Sequence, residues 1–148
     1  MDMSHRYVLM CKTAYELQSA WKPCNGDLCF IKAFNSFHTV WIISESYPHQ
    51  WQLYDRTIYL PEDIAFYGIV WMPRAEQCIA MAEQASVPVR NIRKMQSASL
   101  HSLPPFSKEQ NALQEYMQSV HNKKWINRNW STTKYSHPAQ RRNHGIQV

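Results

Sequence analysis

The residues best suited to chemistry lie near the C-terminus, where cations alternate with indole rings. In order they are Lys123, Lys124, Trp125, Arg128 and Trp130, followed by Lys134 and Tyr135. Cations neutralise phosphate groups, and aromatic faces stack on bases at about 1–3 kcal/mol per base. An arginine over an indole is also favourable. This segment therefore predicts a binding site for nucleic acid or a nucleotide.

The two tryptophans of this segment also allow a structural interpretation. Trp125 and Trp130 can pack back onto the domain while the neighbouring cations simply face water. Their spacing of five residues does not place them on one helical face. That spacing favours a non-helical clamp or a packed C-terminal arm, and both interpretations stay open.

Arg74 is a second candidate for an anion site, just inside a predicted helix. Together with the free N–H groups at the start of that helix, its guanidinium could hold a phosphate. The favoured alternative is an ion pair with Glu62 or Asp63.

Histidines and arginines near the C-terminus form a third group. His121, His137 and His144 could join Arg141 and Arg142 in binding anions at mildly acidic pH, or could ligate a metal. Their spacing matches no tight zinc pattern, so we interpret the histidines as solvated. Arg142 is kept among the ligand-binding cations.

The cysteines give a weak indication of zinc. Cys24 and Cys29 are the one close pair, with Cys11 and either His38 or His49 elsewhere. Structural zinc sites normally contain two close pairs. We therefore predict no metal and no cofactor, and reduced thiols that act as small apolar side chains.

No catalytic motif is present. The sequence contains neither a Gly-x-Ser-x-Gly elbow nor a His-Glu-x-x-His helix, and its three glycines, Gly26, Gly68 and Gly145, are too far apart for a phosphate loop of the Walker or Rossmann type. We expect a protein that is not an enzyme.

The net charge of +5 is unevenly distributed. Residues 1–83 contain six Lys/Arg and nine Asp/Glu, a net of −3, whereas residues 84–148 contain ten and two, a net of +8. Such asymmetry indicates a polyanion or an acidic protein surface as partner, unless the basic half is only a solubilising tail. No apolar run reaches the roughly 18 residues that span a bilayer, so we predict a cytoplasmic protein without membrane contact.

Two elements are well specified by their pattern. Ile69–Met72 is apolar on both faces, which suits a buried strand, and Pro73 opens a helix predicted to run to Ala85. Ser107 begins a Ser-x-x-Gln capping box, which predicts a helix over Lys108–His121.

The remaining elements follow from shorter patterns, in chain order. We predict a strand at Arg6–Lys12, and then a helix to Lys22 that a Thr13/Glu16 capping box opens. A hairpin of Leu28–Phe34 and Phe37–Glu45 should turn at Asn35 and Ser36, and strand structure should follow within Gln50–Leu60, where Asp55 and Arg56 are either mid-strand or a turn. A helix of one to two turns is expected from Pro61, and a loop over Ser86–Pro105.

Together these elements predict a single α+β domain. Residues 1–122 form a mostly antiparallel sheet of about five strands with two main helices. Residues 123–148 form a basic, aromatic and partly flexible arm.

The stretch Trp71-Met-Pro-Arg-Ala-Glu-Gln77 resembles a family of small, uncharacterised bacteriophage proteins. In that family a Ser-x-Glu-Gln helix and a Lys-x-Trp…Trp segment follow, as do Ser107-Lys-Glu-Gln110 and Lys123-Lys-Trp125…Trp130 here. The resemblance implies a phage or prophage origin, and hence the cytoplasm of an infected or lysogenic bacterium. Phage accessory proteins of this size often disable host factors or sequester nucleotide signals.

The leading functional hypothesis is a non-enzymatic binding protein that captures nucleic acid or a nucleotide signal through residues 123–142. Under this hypothesis the capture counteracts host defence. The alternative is an inhibitor that docks an acidic surface of a host protein, or adds a strand to a sheet edge. Self-association into a homo-oligomer is compatible with both.

Overall fold

The computed structural model describes residues 1–42, 50–53, 56–59, 62–100 and 105–133. Its helices are α1 (His5–Thr13), α2 (Tyr15–Ala20), α3 (Glu62–Tyr67), α4 (Ala75–Gln84), α5 (Val89–Leu100) and α6 (Lys108–His121). Its strands are β1 (Leu28–Ile31), β2 (Ser36–Thr39), β3 (Trp41–Ile42), β4 (Gln50–Leu53), β5 (Arg56–Tyr59), β6 (Ile69–Met72), β7 (Lys123–Ile126) and β8 (Asn129–Thr132). None of the helices described here has the length and apolar character needed to cross a bilayer.

The strands form three small antiparallel sheets in a mixed α+β domain. Their orders are β2-β1-β6, β3-β4-β5 and β7-β8. The α+β class is as predicted, but the single sheet of about five strands and the count of two main helices are wrong. The first and second sheets separate at Val40. Its N–H donates to the Asp27 carbonyl and its carbonyl accepts from the Gly26 N–H, which continues the pairing of the first sheet, whereas the next residues form β3 and pair with β4.

The N-terminal apolar run is a helix, so the prediction of a strand at Arg6–Lys12 is wrong. The Ser4 hydroxyl accepts a hydrogen bond from the Tyr7 N–H and caps α1. Tyr7, Met10 and Cys11 recur at helical spacing and are buried. A continuous apolar run contains both the helical and the strand period, and here the cap decides between them.

The predicted capping box at Thr13 is also absent. Its hydroxyl donates instead to the Leu9 carbonyl within α1. Helix α2 has Ala14 at its N-cap without a side-chain hydrogen bond, and it ends two residues before Lys22.

Residues 89–100 form helix α5, so the predicted loop over Ser86–Pro105 is wrong. The Pro88 carbonyl accepts the first hydrogen bonds of the helix, from Asn91 and Ile92. Ile92 and Met95 are buried, and α5 packs against α4 and α6. The sequence pattern does not indicate this helix, because only a narrow apolar stripe runs along an otherwise polar segment.

The other predicted elements are present with adjusted ends. Strand β6 is buried at every position, and α4 begins at Ala75, with Arg74 at its N-cap. Helix α6 has the predicted bounds, and the Ser107 hydroxyl accepts from the Gln110 N–H. The second bond of the capping box is absent, because the Gln110 side-chain oxygen accepts nothing from the Ser107 N–H. The Gln110 side-chain nitrogen donates to Asp2, which ties the N-terminus to α6.

The predicted hairpin is present as the antiparallel pair β1 and β2, with Leu28 opposite Thr39. Its first strand is shorter than predicted, because Lys32–Phe34 form a 3-10 helix, and Asn35 alone makes the turn in the left-handed region before Ser36 begins β2. Residues 43–49 of its second predicted strand lie outside the described residues. The segment within 50–60 divides into β4 and β5 with Leu53 opposite Arg56, and Asp55 is not among the described residues. The short helix expected after Pro61 is α3.

The Gln18 carboxamide takes the place of a neighbouring strand at the open edge of β6. Its oxygen accepts from the Trp71 N–H at 2.9 Å, and its nitrogen donates to the Trp71 carbonyl at 2.9 Å. The same nitrogen donates to the Cys11 carbonyl at the end of α1, at 3.1 Å. One side chain therefore satisfies an edge strand and fixes both N-terminal helices against it.

Buried Asp27 joins the end of α2, the loop after it and helix α4. One carboxylate oxygen accepts from the Trp21 indole and the Cys24 N–H, both at 2.9 Å. The other accepts from the Gln77 side chain on α4 at 2.7 Å. The Trp21 ring in turn stacks on Trp71 with centroids 6.0 Å apart, so the end of α2 contacts the same β6 residue that Gln18 binds.

We predict that Gln18→Glu lowers the free energy of unfolding by about 2 kcal/mol or more, because a carboxylate cannot donate to the carbonyls of Trp71 and Cys11. Urea unfolding at pH 7 measures the change. Gln84→Glu, at an exposed position, is the matched control and should change stability by less than about 0.5 kcal/mol. Equal stability of the two variants would show that Gln18 does not complete the strand edge.

We predict that Met95→Ala costs about 2–5 kcal/mol, because it removes a fully buried side chain between α5 and α6. Leu100→Ala, at an exposed position on the same helix, should cost less than about 0.5 kcal/mol. Thermal and urea unfolding of both variants distinguish a packed helix from a loose connection. Small effects at both positions would contradict the packing of α5.

Candidate functional site

A cleft of about 770 Å³ opens between the N-terminal helices and the first sheet. Its apolar lining comes from α1, β1 and β6, through Val8, Leu9, Phe30, Ile69 and Val70. Binding sites for small molecules are clefts of roughly 300–1,000 Å³ that combine apolar walls with a few polar groups. The cleft therefore has the size and the wall chemistry of a small-molecule site.

Cations also line the cleft. Lys12, Lys32 and Arg128 line the cleft together with His5, and no carboxylate lines it within the described part of the chain. None of the three long cations has an ion-pair partner among the described residues. Their charge is therefore available to an anion entering the cleft.

Backbone geometry places two of these cations. The Lys32 N–H donates to the Gly68 carbonyl at 3.0 Å, which holds the residue after β1 beside the turn before β6. Gly68 has a φ of +63°, and a Cβ there would lie 2.9 Å from the Lys32 Cβ. Glycine is therefore needed for this approach. Arg128 lies in the two-residue turn between β7 and β8, where Asn127 also has positive φ.

Tyr15 supplies an aromatic ring at the cleft. It is the first residue of α2, is 71% exposed and lines the cleft. Phe30, on the β1 side, is half-buried. The cleft thus offers one accessible ring and one part-covered ring to a planar ligand.

Lys123, predicted to bind phosphate, pairs with Glu16 of α2. Burial alone would raise the pKa of Glu16, but the hydrogen bond and charge of Lys123 outweigh it and hold that pKa below its ordinary value. Lys123 therefore anchors β7 to α2.

Trp125 and Trp130 face each other across β7 and β8, with ring centroids 5.1 Å apart. Trp130 is only 7% exposed, and its indole N–H donates to the Met10 carbonyl at 2.8 Å. Trp130 thus packs onto α1, as the structural interpretation of the sequence allowed. Trp125 is half-buried.

Lys124 and Trp125 line a second, smaller groove of about 360 Å³, between β7 and helices α5 and α6. Lys94 and Glu115 also line it and form an ion pair at 3.4 Å. The predicted set is therefore divided: Arg128 reaches the large cleft, Lys124 and Trp125 the small groove.

Arg74 lies outside both concavities. Its guanidinium donates to the Gly26 carbonyl at 2.6 Å, and its N–H donates to the Gln77 side chain. The side chains of its proposed partners, Glu62 and Asp63, lie outside those described. Arg142 also lies beyond the described ranges, together with Lys134, Tyr135, Arg141, His137 and His144.

The remaining candidate ligands are dispersed or buried. The His121 ring nitrogen lies 3.2 Å from the Tyr116 hydroxyl, and burial lowers the pKa of His121. Burial raises the pKa of the Cys29 thiol to about 12, and Cys24 is exposed. No three metal-ligating side chains cluster among the residues described.

Sequence reasoning missed Lys12, Lys32 and Tyr15. Val8 follows His5 by three residues and Lys12 follows Val8 by four, so an assignment of α1 as a helix would have placed all three on one face. Lys32 carries no comparable signal, because its position depends on the pairing of β1 with β6.

No protein-family model, curated protein or solved structure matches the chain. The resemblance to small bacteriophage proteins stays a prediction.

We predict that Glu16→Gln lowers stability at pH 7 by about 1–2 kcal/mol, since it removes the charge partner of a half-buried Lys123. The lowered pKa of Glu16 stabilises the wild type above the ordinary glutamate pKa of about 4.3, and this contribution disappears as the pH falls through the folded-state pKa. The difference between wild type and variant should therefore shrink towards pH 3.

Urea unfolding at a series of pH values tests this dependence. Glu83→Gln, at an exposed position of α4, should leave the curve unchanged. A difference between wild type and Glu16→Gln that stays constant from pH 7 to pH 3 would contradict the ion pair.

Proposed function

We propose that the chain is a non-enzymatic binding protein that captures a phosphate-bearing ligand of nucleotide size in the large cleft. One observation carries the proposal: an apolar cleft bordered by Lys12, Lys32 and Arg128, with no carboxylate among its described lining residues. Arg128 belongs to the segment predicted from sequence, whereas the two lysines do not.

The charge arrangement supports an anionic ligand. Three exposed cations without described ion-pair partners line the same apolar cleft, and each can attract phosphate there. Arg128 can also form two parallel hydrogen bonds with phosphate oxygens, whereas the lysines act as point charges. A di- or triphosphate group matches this set.

The apolar lining and Tyr15 support a ligand with a planar ring. A base stacked on an aromatic side chain gains about 1–3 kcal/mol. A free phosphate ion would use the cations but leave the apolar walls in water. A nucleotide uses both parts of the cleft.

Capture, rather than turnover, fits the chemistry of the lining. The described lining residues contain cations, tyrosine and apolar side chains, but no serine, cysteine or carboxylate beside His5. Nucleophilic catalysis pairs such a nucleophile with a base. The implied phage origin adds the proposal that the captured nucleotide is a host defence signal.

A second candidate function is the inhibition of a host protein by docking. Phe66 is 79% exposed, and its ring centroid lies 4.9 Å from that of Tyr67. The Tyr67 and Phe34 ring centroids are 5.7 Å apart. Exposed aromatic clusters are typical of protein interfaces. Recovery of one stoichiometric host protein after nuclease treatment, lost in Phe66→Ser, would favour this function.

We predict that Lys12→Ala, Lys32→Ala and Arg128→Ala each weaken nucleotide binding about 10-fold or more, because a hydrogen bond to a charged group contributes roughly 1.5–3 kcal/mol. Isothermal titration calorimetry with nucleoside triphosphates and cyclic dinucleotides measures the affinity. Lys22→Ala, exposed and outside the cleft lining, is the matched control and should change affinity less than about 2-fold.

The proposal fails if the wild type binds no member of the nucleotide panel. It also fails if Lys22→Ala weakens binding as much as the cleft variants, since the effect would then come from net charge alone.

A further inference from the structure

We infer that the chain has a second, independent anion-binding surface, which takes the backbone of a single-stranded nucleic acid. This surface consists of the solvent face of α5 and the adjoining strand β7. It lies outside the nucleotide cleft and goes beyond the function proposed above.

The first half of α5 presents three exposed cations. Arg90, Arg93 and Lys94 follow at spacings of three and four, so they share one side of the helix. Ile92 and Met95 point to the opposite side and are buried. Residues 89–100 contain no acidic side chain, so no carboxylate of α5 itself compensates these cations.

Strand β7 extends this basic surface across the small groove. Lys124, Trp125 and Ile126 line one side of the groove, and Lys94 of α5 lines it too. Glu115 neutralises Lys94, with nitrogen and oxygen 3.4 Å apart. Arg90, Arg93 and Lys124 have no ion-pair partner in the described part of the chain.

The distribution of these cations favours an extended polyanion. Arg90 and Arg93 lie on an exposed convex helix rather than inside a cavity, so they suit successive phosphates of a strand better than one small ligand. Trp125 lies beside Lys124 and is half-buried, which leaves part of its ring accessible. An indole beside cations stacks on unpaired bases, whereas the bases of a duplex are already stacked on one another.

The test is fluorescence anisotropy with a labelled 12-residue oligothymidylate over a range of salt concentrations. Each phosphate contact to a single strand contributes about 0.7 to the slope of log affinity against log salt. We expect the double variant Arg90→Gln/Arg93→Gln to reduce that slope by roughly 1.4 and to weaken binding at low salt. Adding Lys124→Gln should reduce it further.

The matched control removes the same charge elsewhere. Lys22→Gln/Lys108→Gln alters two exposed lysines outside both concavities and should leave the slope unchanged. Trp125→Leu should weaken oligothymidylate binding several-fold with no change in slope, because it removes stacking and no charge. Circular dichroism confirms that each variant is folded.

Three results would overturn the inference: no binding of the oligothymidylate, equal loss in the two double variants, or tighter binding of a 12-base-pair duplex with no effect of Trp125→Leu. The nucleotide titrations with Lys12 and Lys32 variants test the cleft separately, so either site can fail alone.

Discussion

The structure depends on one side-chain amide at the edge of a buried strand. Gln18 satisfies both peptide groups of Trp71 and also binds the Cys11 carbonyl, so it holds α1 and α2 against β6. Backbone N–H and C=O groups left unpaired in an apolar interior would lower the stability of the fold. The walls of the large cleft are these helices and this sheet, so its shape follows from the same contact.

The basic and aromatic hairpin is attached to this framework by the residues that look most suited to binding. Lys123 pairs with Glu16, and the Trp130 indole bonds to the Met10 carbonyl. Glu16 belongs to α2 and Met10 to α1, the two helices that Gln18 holds against β6. The docked hairpin then places Arg128 at the cleft and Lys124 at the second groove. Lys123 and Trp130 therefore attach the hairpin to the domain, while the neighbouring Lys124 and Arg128 stay accessible to a ligand.

The fold was predictable where period and cap agreed. Strand β6 and helix α6 combine an unambiguous apolar pattern with a clear boundary, at Pro73 and Ser107 respectively. The N-terminal apolar run is compatible with both the helical and the strand period. In α5 the few apolar residues stand among many polar ones, so the helical period is weak. The arrangement of the strands in three sheets depends on the pairing of β3 with β4, which carries no local signal.

The candidate site was predictable only in part, for a related reason. Arg128 belongs to a compact sequence segment and was found there. Lys12 and Lys32 are twenty residues apart, and they line one cleft because Gln18 fixes α1 on β6 and the Gly68 carbonyl binds the Lys32 N–H. Such tertiary contacts are absent from any local pattern.

Nuclear magnetic resonance tests the central claim most directly. Amide nitrogen–proton correlation spectra, recorded during titration with a nucleoside triphosphate, locate a bound ligand without any substitution. We expect saturable shifts at Lys12, Tyr15, Gly68 and Arg128, with small changes on α5. Unchanged spectra at millimolar nucleotide, or shifts confined to residues 89–100 and 123–126, would contradict capture in the cleft.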